Sequence, residues 1–387
     1  MTTTELLERV RSFTADRRWL QRDGEASARG PVPVPTPLQQ SFHQEGLANW
    51  WLPADCGGRG VALRDGVDLV SELAYADAGT AFTLFISILG TTMVDLFGST
   101  ALRRTLLEPL ALRGGYCATL ASEEAAGSEL LRTATVASPS GAELSLTGEK
   151  FFSTNADFAD FLVVTATDAD EEHLAVVVPR DTPGIHIVKR WQLRGLPASA
   201  TYQVSLRDCR VPRENVLSGH GLRILEVGLN TSRILMAASA VGVARRIRDL
   251  CLDYAAHKRV HGTLLEAHPV FAAKLARIET TIMVMRNQCL SAAEEFDALA
   301  RLPDGATALL RTGSLKSALA AKLFCGRAGW EIATTGTEMF GGLGYTQDSP
   351  MGDLADDMRY VSIVEGGEDV LQELLYTRHV LPPERRT

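Results

Sequence analysis

Phe161-Leu162-Val163-Val164-Thr165 and, after one turn, Leu174-Ala175-Val176-Val177-Val178 decide how this chain is to be read. Both runs are short, apolar and rich in β-branched residues, and turn residues bound them, which is how strands read. Glu143-Leu144-Ser145-Leu146 and Tyr202-Gln203-Val204-Ser205-Leu206 flank them and alternate with a period of two. Thr182-Pro183-Gly184 and Pro212-Arg213-Glu214-Asn215 supply turns. Residues 116–216 therefore predict a small antiparallel β barrel or sandwich.

On both sides the period is helical. Residues 2–20 place Leu6, Leu7, Val10, Phe13, Trp19 and Leu20 at helical spacing. Residues 30–37, with prolines at 31, 33, 35 and 37, break the chain, and Pro37 opens a helix to 46. Helices are expected over 64–78, over 81–97, which is apolar nearly all round and so buried, and over 99–112. After residue 221, Ile234, Ala237, Val241, Ala244, Ile247, Cys251 and Tyr254 form one apolar stripe. Further helices are expected over 265–300, 305–337 and 368–380, a four-helix bundle. The reading is mainly α with a β domain. It has an N-terminal helical domain (1–115), a middle antiparallel β barrel (116–220) and a C-terminal four-helix bundle (221–387).

Composition excludes several classes. With 387 residues, 45% apolar and 22% charged, the chain can bury a large core. A net charge of −8 without a basic run argues against nucleic acid or anionic membrane as partner. No apolar run reaches the roughly 20 residues that span a bilayer, and the start of the chain is no signal peptide. The six scattered cysteines read as reduced core thiols of a cytoplasmic protein. His257 and His261 have a ligand-like spacing, but Lys258 and Arg259 between them repel a cation, so no metal is expected.

Chemistry concentrates in five segments. In Ile363-Val364-Glu365-Gly366-Gly367-Glu368-Asp369, one acid leaves an apolar wall before two glycines and an acidic helix start. A partly desolvated carboxylate there is suited to be a general base; the plain alternative is a capped helix start with a solvated Glu. Thr119-Leu120-Ala121-Ser122-Glu123-Glu124-Ala125-Ala126-Gly127-Ser128 is a hydroxyl-rich loop that offers donors to a polar ring edge, or a simple linker. Phe151-Phe152-Ser153-Thr154 sets an aromatic ring beside hydroxyls, fit to cover a flat cofactor or to close a strand. The basic residues of His257-Lys258-Arg259-Val260-His261-Gly262 either meet a helix dipole or bind a pyrophosphate. Gly341-Gly342-Leu343-Gly344 lets backbone approach a phosphate or ends a helix.

Together, in this order, these segments resemble the acyl-CoA dehydrogenase family of flavoproteins, over nearly the whole chain. The resemblance implies FAD between the β domain and the bundle of a homo-oligomer, a tetramer or a dimer, with a neighbouring subunit completing the site. Glu365 then matches the catalytic base. Leu120 and Ser122 lie toward the flavin and Ser128 toward the thioester. Phe152 and Thr154 contact the isoalloxazine. Lys258, or Arg259 if the register slips by one, and His261 stand where a neighbour's FAD is held. Glu338, Gly341 and Gly342 lie near its pyrophosphate or adenosine, and Gly367 follows the base. Arg233 lies near the acyl carrier, while Val364 and Gly366 border the acyl group. Some relatives carry the base at the position of Ser232, which cannot serve here.

The chain departs from the family pattern at Glu124, Lys258, His261, Glu338, Val364 and Gly367, which points to a divergent branch. That branch looks most like acyl-ACP dehydrogenases of polyketide and related pathways. The implied reaction is α,β-dehydrogenation of a short acyl thioester on CoA or an acyl carrier protein, with electrons passed to an electron-transfer flavoprotein or oxygen. The rival readings are a flavin monooxygenase or oxidase on the same scaffold and a non-catalytic thioester-binding paralogue.

Overall fold

The computed structural model describes residues 2–16, 32–127 and 129–385. The first domain holds α1 (Thr3–Asp16), α2 (Pro37–Gln44), α3 (Leu63–Ala76), α4 (Ala78–Phe85), α5 (Ser87–Phe97) and α6 (Thr100–Arg113). Trp19, Leu20 and the start of the proline-rich break lie outside the described residues. α2 begins at Pro37 because Thr36 and Gln39 cap it reciprocally, side chain to backbone, at 3.2 and 2.8 Å. The single helix expected over 81–97 is two helices with Ile86 between them. At this break the Ser87 hydroxyl donates to the Cys117 carbonyl and accepts from its N–H, tying α5 to the sheet edge.

The middle domain is a curled sheet of β1 (Cys117–Leu120), β2 (Val136–Ser140), β3 (Glu143–Thr154), β4 (Phe161–Thr167), β5 (His173–Pro179), β6 (Ile185–Arg190) and β7 (Thr201–Pro212). Its order is β1-β4-β2-β3-β7-β6, with β5 on β4. Most pairings are antiparallel, but β1 and β2 run parallel to β4. β4 is buried from Phe161 to Ala166, so its sequence is a continuous apolar run instead of an alternation.

The last domain is built on α7 (Gly221–His257), a short hairpin of β8 (Arg259–Val260) and β9 (Thr263–Leu264), α8 (Pro269–Ala300), α9 (Gly305–Thr312), α10 (Lys316–Met339), α11 (Met351–Arg359) and α12 (Glu368–Leu375). α7, α8 and α10 pack side by side, and α3 of the first domain lies across α7 and α8. α11 has no counterpart in the sequence expectation. The helix expected over 305–337 is split at Gly313, whose φ is +69°. Buried Asn230 of α7 bonds both sides of that turn, donating to the Gly313 carbonyl and accepting from the Leu315 N–H, each at 2.8 Å. The helix expected to 380 stops at Leu375 and continues as one wider turn, Tyr376–Val380.

Contrary to the hydropathy reading, Ala78–Phe97 and Gly221–His257 are long and apolar enough to cross a membrane. Their apolar windows are 78% and 100% buried inside the protein, so their composition reflects core packing. All six cysteines are buried and free.

Candidate active site

Glu365 sits in the turn between Tyr360–Ser362, which follows α11, and α12. Its φ is +53° and that of Gly366 is +98°. A left-handed conformation at a non-glycine residue costs on the order of 1–3 kcal/mol and persists only where neighbours enforce it. Two helices do so. From α7, Arg233 donates Nε and Nη2 to the Glu365 carbonyl, at 3.2 and 2.9 Å. From α10, Lys322 donates Nζ to the Gly366 carbonyl. One turn beyond Lys322, Gly326 lets the Ser362 backbone close to 3.3 Å of where a Cβ would stand, so the segment rests directly on α10.

The carboxylate of Glu365 is treated asymmetrically. Ser232 Oγ donates to Oε2 at 2.8 Å. Oε1 is buried and has no hydrogen-bond partner among the described residues. Burial pushes the Glu365 carboxyl above its ordinary value, while Arg233, the Ser232 hydrogen bond and Lys322 pull it down. Lys322, only 1% exposed, is lowered to about 7 by burial and then by Arg233, against Glu365 and Glu368. The Glu365 N–H donates to no atom of the described residues. A basic oxygen and a free N–H thus meet at one turn, which is a proton acceptor set beside a donor for a developing negative charge.

A second group of expected residues gathers on the sheet. Phe152 occupies a bulge of β3 with φ +53°, which turns its ring outward, 59% exposed. It stacks on Trp191 at 5.0 Å and 28°. Lys189 Nζ lies 3.6 Å from the centre of the Trp191 ring, and the indole nitrogen is buried without a hydrogen-bond partner among the described residues. The neighbouring Phe151 N–H bonds the Ser122 carbonyl at 2.8 Å, so the 121–127 loop lies beside this wall. Thr154 bonds Thr201 through the hydroxyls at 2.9 Å. Leu120 is wholly in the core, and its carbonyl accepts from the Thr165 hydroxyl at 3.4 Å. Ser128 lies outside the described residues.

The loop after Trp191 docks on α11, the helix that leads into the turn bearing Glu365. Leu196 N–H donates to Asp357 at 2.6 Å, and a Cβ at Gly195 would stand 2.6 Å from the Asp356 carbonyl. Tyr360, just ahead of the base, packs its ring 5.2 Å from Phe82.

The remaining expected residues form a separate cluster. Tyr254 near the end of α7 stacks on Phe340 at 4.4 Å, which sets the Lys258–Arg259–His261 hairpin beside Gly341 and Gly342. Arg259 folds back onto the Gly262 carbonyl, and His261 has φ +49°. Open space surrounds Gly341 and Gly342 where a Cβ would stand. Glu338 is paired with Lys274 at 3.0 Å. Lys258 is twenty-five residues along α7 from Arg233, about 37 Å at the helical rise, so this cluster and Glu365 cannot meet within one chain.

Five residues make contacts that the sequence did not show. Sequence reasoning treated Ser232 only as a residue unable to act as base, yet Ser232 bonds the base. It placed Arg233 toward a carrier, whereas two of its donors hold Glu365 and Nη1 reaches Ser314 at 3.4 Å. Trp191 and Lys322 went unnoticed; the visible signal for the latter was a lone Lys within the apolar Ala318-Leu319-Ala320-Ala321-Lys322-Leu323-Phe324. Glu123 was read as part of a flavin loop. It is that loop's buried anchor, bonded to Lys150 at 2.8 Å and to the Thr135 hydroxyl at 2.6 Å.

Family models for the N-terminal, middle and C-terminal domains of acyl-CoA dehydrogenase match residues 2–113, 118–209 and 219–380. The chain is 29% identical over 344 residues to the probable acyl-CoA dehydrogenase YngJ of Bacillus subtilis (strain 168), covering 87% of both chains. In fold it is similar to butyryl-CoA dehydrogenase from Megasphaera elsdenii, at a TM-score of 0.87 and 24% identity over 97% of each chain. It also superposes on the prolyl acyl carrier protein oxidase AnaB, at a TM-score of 0.84 and 20% identity over 96% of this chain and 97% of that one. With all three domains matched in order, the chain belongs to the acyl-CoA dehydrogenase family and is an oxidoreductase of that type.

Proposed function

We propose that this protein is an FAD-dependent dehydrogenase that converts an acyl thioester to its α,β-unsaturated form, with Glu365 as the base. The observation that carries the reading is Oε1 of Glu365: buried, unpartnered and raised in proton affinity. An orphaned carboxylate oxygen is unfavourable unless a ligand proton comes to it. The residues suit FAD. The outward ring of Phe152 on Trp191 offers a face for a flat heterocycle, and the orphaned indole N–H of Trp191 lies at that wall. Ser122 and Thr154 would border the ring system. FAD, when bound, supplies the hydride acceptor for the β-hydrogen.

The chain's own residues supply the rest. Glu365 takes the α-proton on its free oxygen while Ser232 fixes the other. The Glu365 N–H polarises the thioester carbonyl, an interaction of a few kcal/mol in an oxyanion-hole setting. Arg233 and Lys322 hold the turn so that N–H and carboxylate act on one substrate. Exclusion of water by the acyl chain raises the basicity of Glu365 further.

The roughly 37 Å between Arg233 and Lys258 supports a homo-oligomer, in which Lys258, Arg259, His261, Gly341 and Gly342 hold the phosphate end of a neighbour's FAD. The departures from the family pattern at Glu124, Lys258, His261, Glu338, Val364 and Gly367 support a divergent branch acting on a short acyl group on an acyl carrier protein or CoA, in a polyketide-type precursor route. Electrons then leave to an electron-transfer flavoprotein or to oxygen. Six reduced, buried thiols suit a cytoplasmic setting.

The test is substrate bleaching of the flavin. Wild-type protein should purify yellow and bleach with a short acyl-CoA or acyl-ACP. Glu365→Gln should stay yellow and lose bleaching by several orders of magnitude. Colourless protein that takes up no FAD, or a Gln variant that bleaches normally, would defeat the proposal.

A further inference from the structure

Lys322 is a buried ammonium whose one hydrogen-bond partner among the described residues is a backbone carbonyl. It lies on the inner face of α10 among Ala318, Leu319, Cys325 and Gly326, all buried. An aliphatic side chain would fill that volume without the several kcal/mol penalty of desolvating a charge. No carboxylate of the described residues lies within ion-pair distance: Glu368, the acid at the start of α12, is taken by Arg327 at 2.9 Å. Lys322 instead completes a pattern. The two successive carbonyls of Glu365 and Gly366 are each held by a cation, one from α7 and one from α10.

We propose that Lys322 is a positioning residue for proton abstraction, holding the Gly366 carbonyl to fix the turn that bears Glu365 and, as the second buried cation there, keeping that carboxylate ionised. The proposal rests on the dehydrogenase reading for its rate prediction only. Both φ values on this turn are positive, so the turn needs an external hold, and Arg233 grips only its first carbonyl. With the second carbonyl released, the Glu365 N–H and carboxylate are no longer fixed relative to each other.

The charge argument has a definite sign. The groups facing Lys322 are Arg233 on α7, Glu365 on the turn and Glu368 on α12. Protonated Lys322 lowers the proton affinity of Glu365. Removing that charge raises it, so the acid limb of the rate profile moves to higher pH.

Two variants separate the functions. Lys322→Met removes donor and charge at similar length. Lys322→Gln keeps an N–H donor but removes the charge. The FAD-loaded variants are compared with wild type by melting temperature, flavin content, the pH profile of bleaching by a short acyl thioester, and infrared titration of the Glu365 carboxyl band. Glu365→Gln identifies that band, so the titration needs no turnover. In both variants the band should titrate at higher pH than in wild type. The maximal rate should fall about 100-fold in Lys322→Met, the scale of a small misplacement, and recover largely in Lys322→Gln. A Lys322→Met protein with wild-type titration and rate profile overturns the proposal. If that variant does not fold, an unshifted band in Lys322→Gln overturns it equally. If wild-type protein bleaches with no thioester, the dehydrogenase reading fails, while the infrared titration still decides the role of Lys322.

Discussion

At Glu365 the decisive quantity is proton affinity. With Glu365 as the proposed base, the reaction needs its carboxylate form; burial raises its pKa, so the rate should fall as pH drops through that raised value. The Ser232 bond favours the charged form and opposes the rise. Ser232→Ala should therefore move the acid limb to higher pH and lower the neutral-pH rate about tenfold, the worth of one hydrogen bond to a charged group. The pH dependence of flavin bleaching measures both; an unmoved limb would mean that Ser232 does not govern the base. Glu365 became legible through the family resemblance, since the acid before two glycines reads equally as a capped helix start. The sequence could not reveal Lys322 or Trp191, because which way a lysine or tryptophan faces is decided by elements far away in the chain. Arg233 was assigned to a carrier for the same reason: its partner, the Glu365 carbonyl, lies more than a hundred residues further on.

Between elements, the key joint is the 121–127 loop, held to the sheet by the Glu123–Lys150 pair. Lys150 is fully buried and Glu123 only 7% exposed. Burial pushes Glu123 upward, but the Lys150 charge and the bonds from Lys150, Thr135 and Ala134 outweigh it and hold the carboxyl below its ordinary value. Lys150 is lowered to about 8 by burial, against the pull of Glu123. Glu123→Gln leaves that ammonium without its counter-charge and should destabilise the protein by about 3 kcal/mol. It should also weaken FAD binding, since Ser122 and Leu120 flank the anchor. Denaturant unfolding with a flavin titration tests this; wild-type values for both would show that the loop is held by other contacts. Strand and helix periods revealed most elements, including the buried β4. They missed the interruptions at Ile86 and Gly313, because periodicity continues across both and the causes are long-range bonds from Ser87 to the sheet and from Asn230 to the α9–α10 turn. The parallel placement of β1 and β2 beside β4 was hidden too, since pairing direction depends on connections and not on strand composition.

Over the whole molecule, α7 joins the first domain to the last. Its residues face α8 and α10 on one side and α3 on the other. The crossing with α3 is close at Gly242: a Cβ there would stand 2.2 Å from the Ser71 carbonyl and 2.7 Å from the Tyr75 nitrogen. Both obstacles are backbone atoms inside a helix, so neither yields by changing rotamer. Gly242→Ala must instead force α3 and α7 apart. The gain in helix propensity, about 1 kcal/mol, opposes an overpacking penalty of about 3 kcal/mol, at the upper end of its usual range, and packing wins. Arg233 lies nine residues earlier on α7, about 13 Å away along the axis, so the displacement should also loosen its hold on Glu365. The expected result is a lower melting temperature together with slower flavin bleaching. Unfolding should remain a single transition when followed by helical circular dichroism and by tryptophan fluorescence, with Trp50 and Trp51 in the first domain and Trp330 in the last. A Gly242→Ala protein as stable as wild type, or one whose first domain melts separately, would show that α3 merely rests against α7.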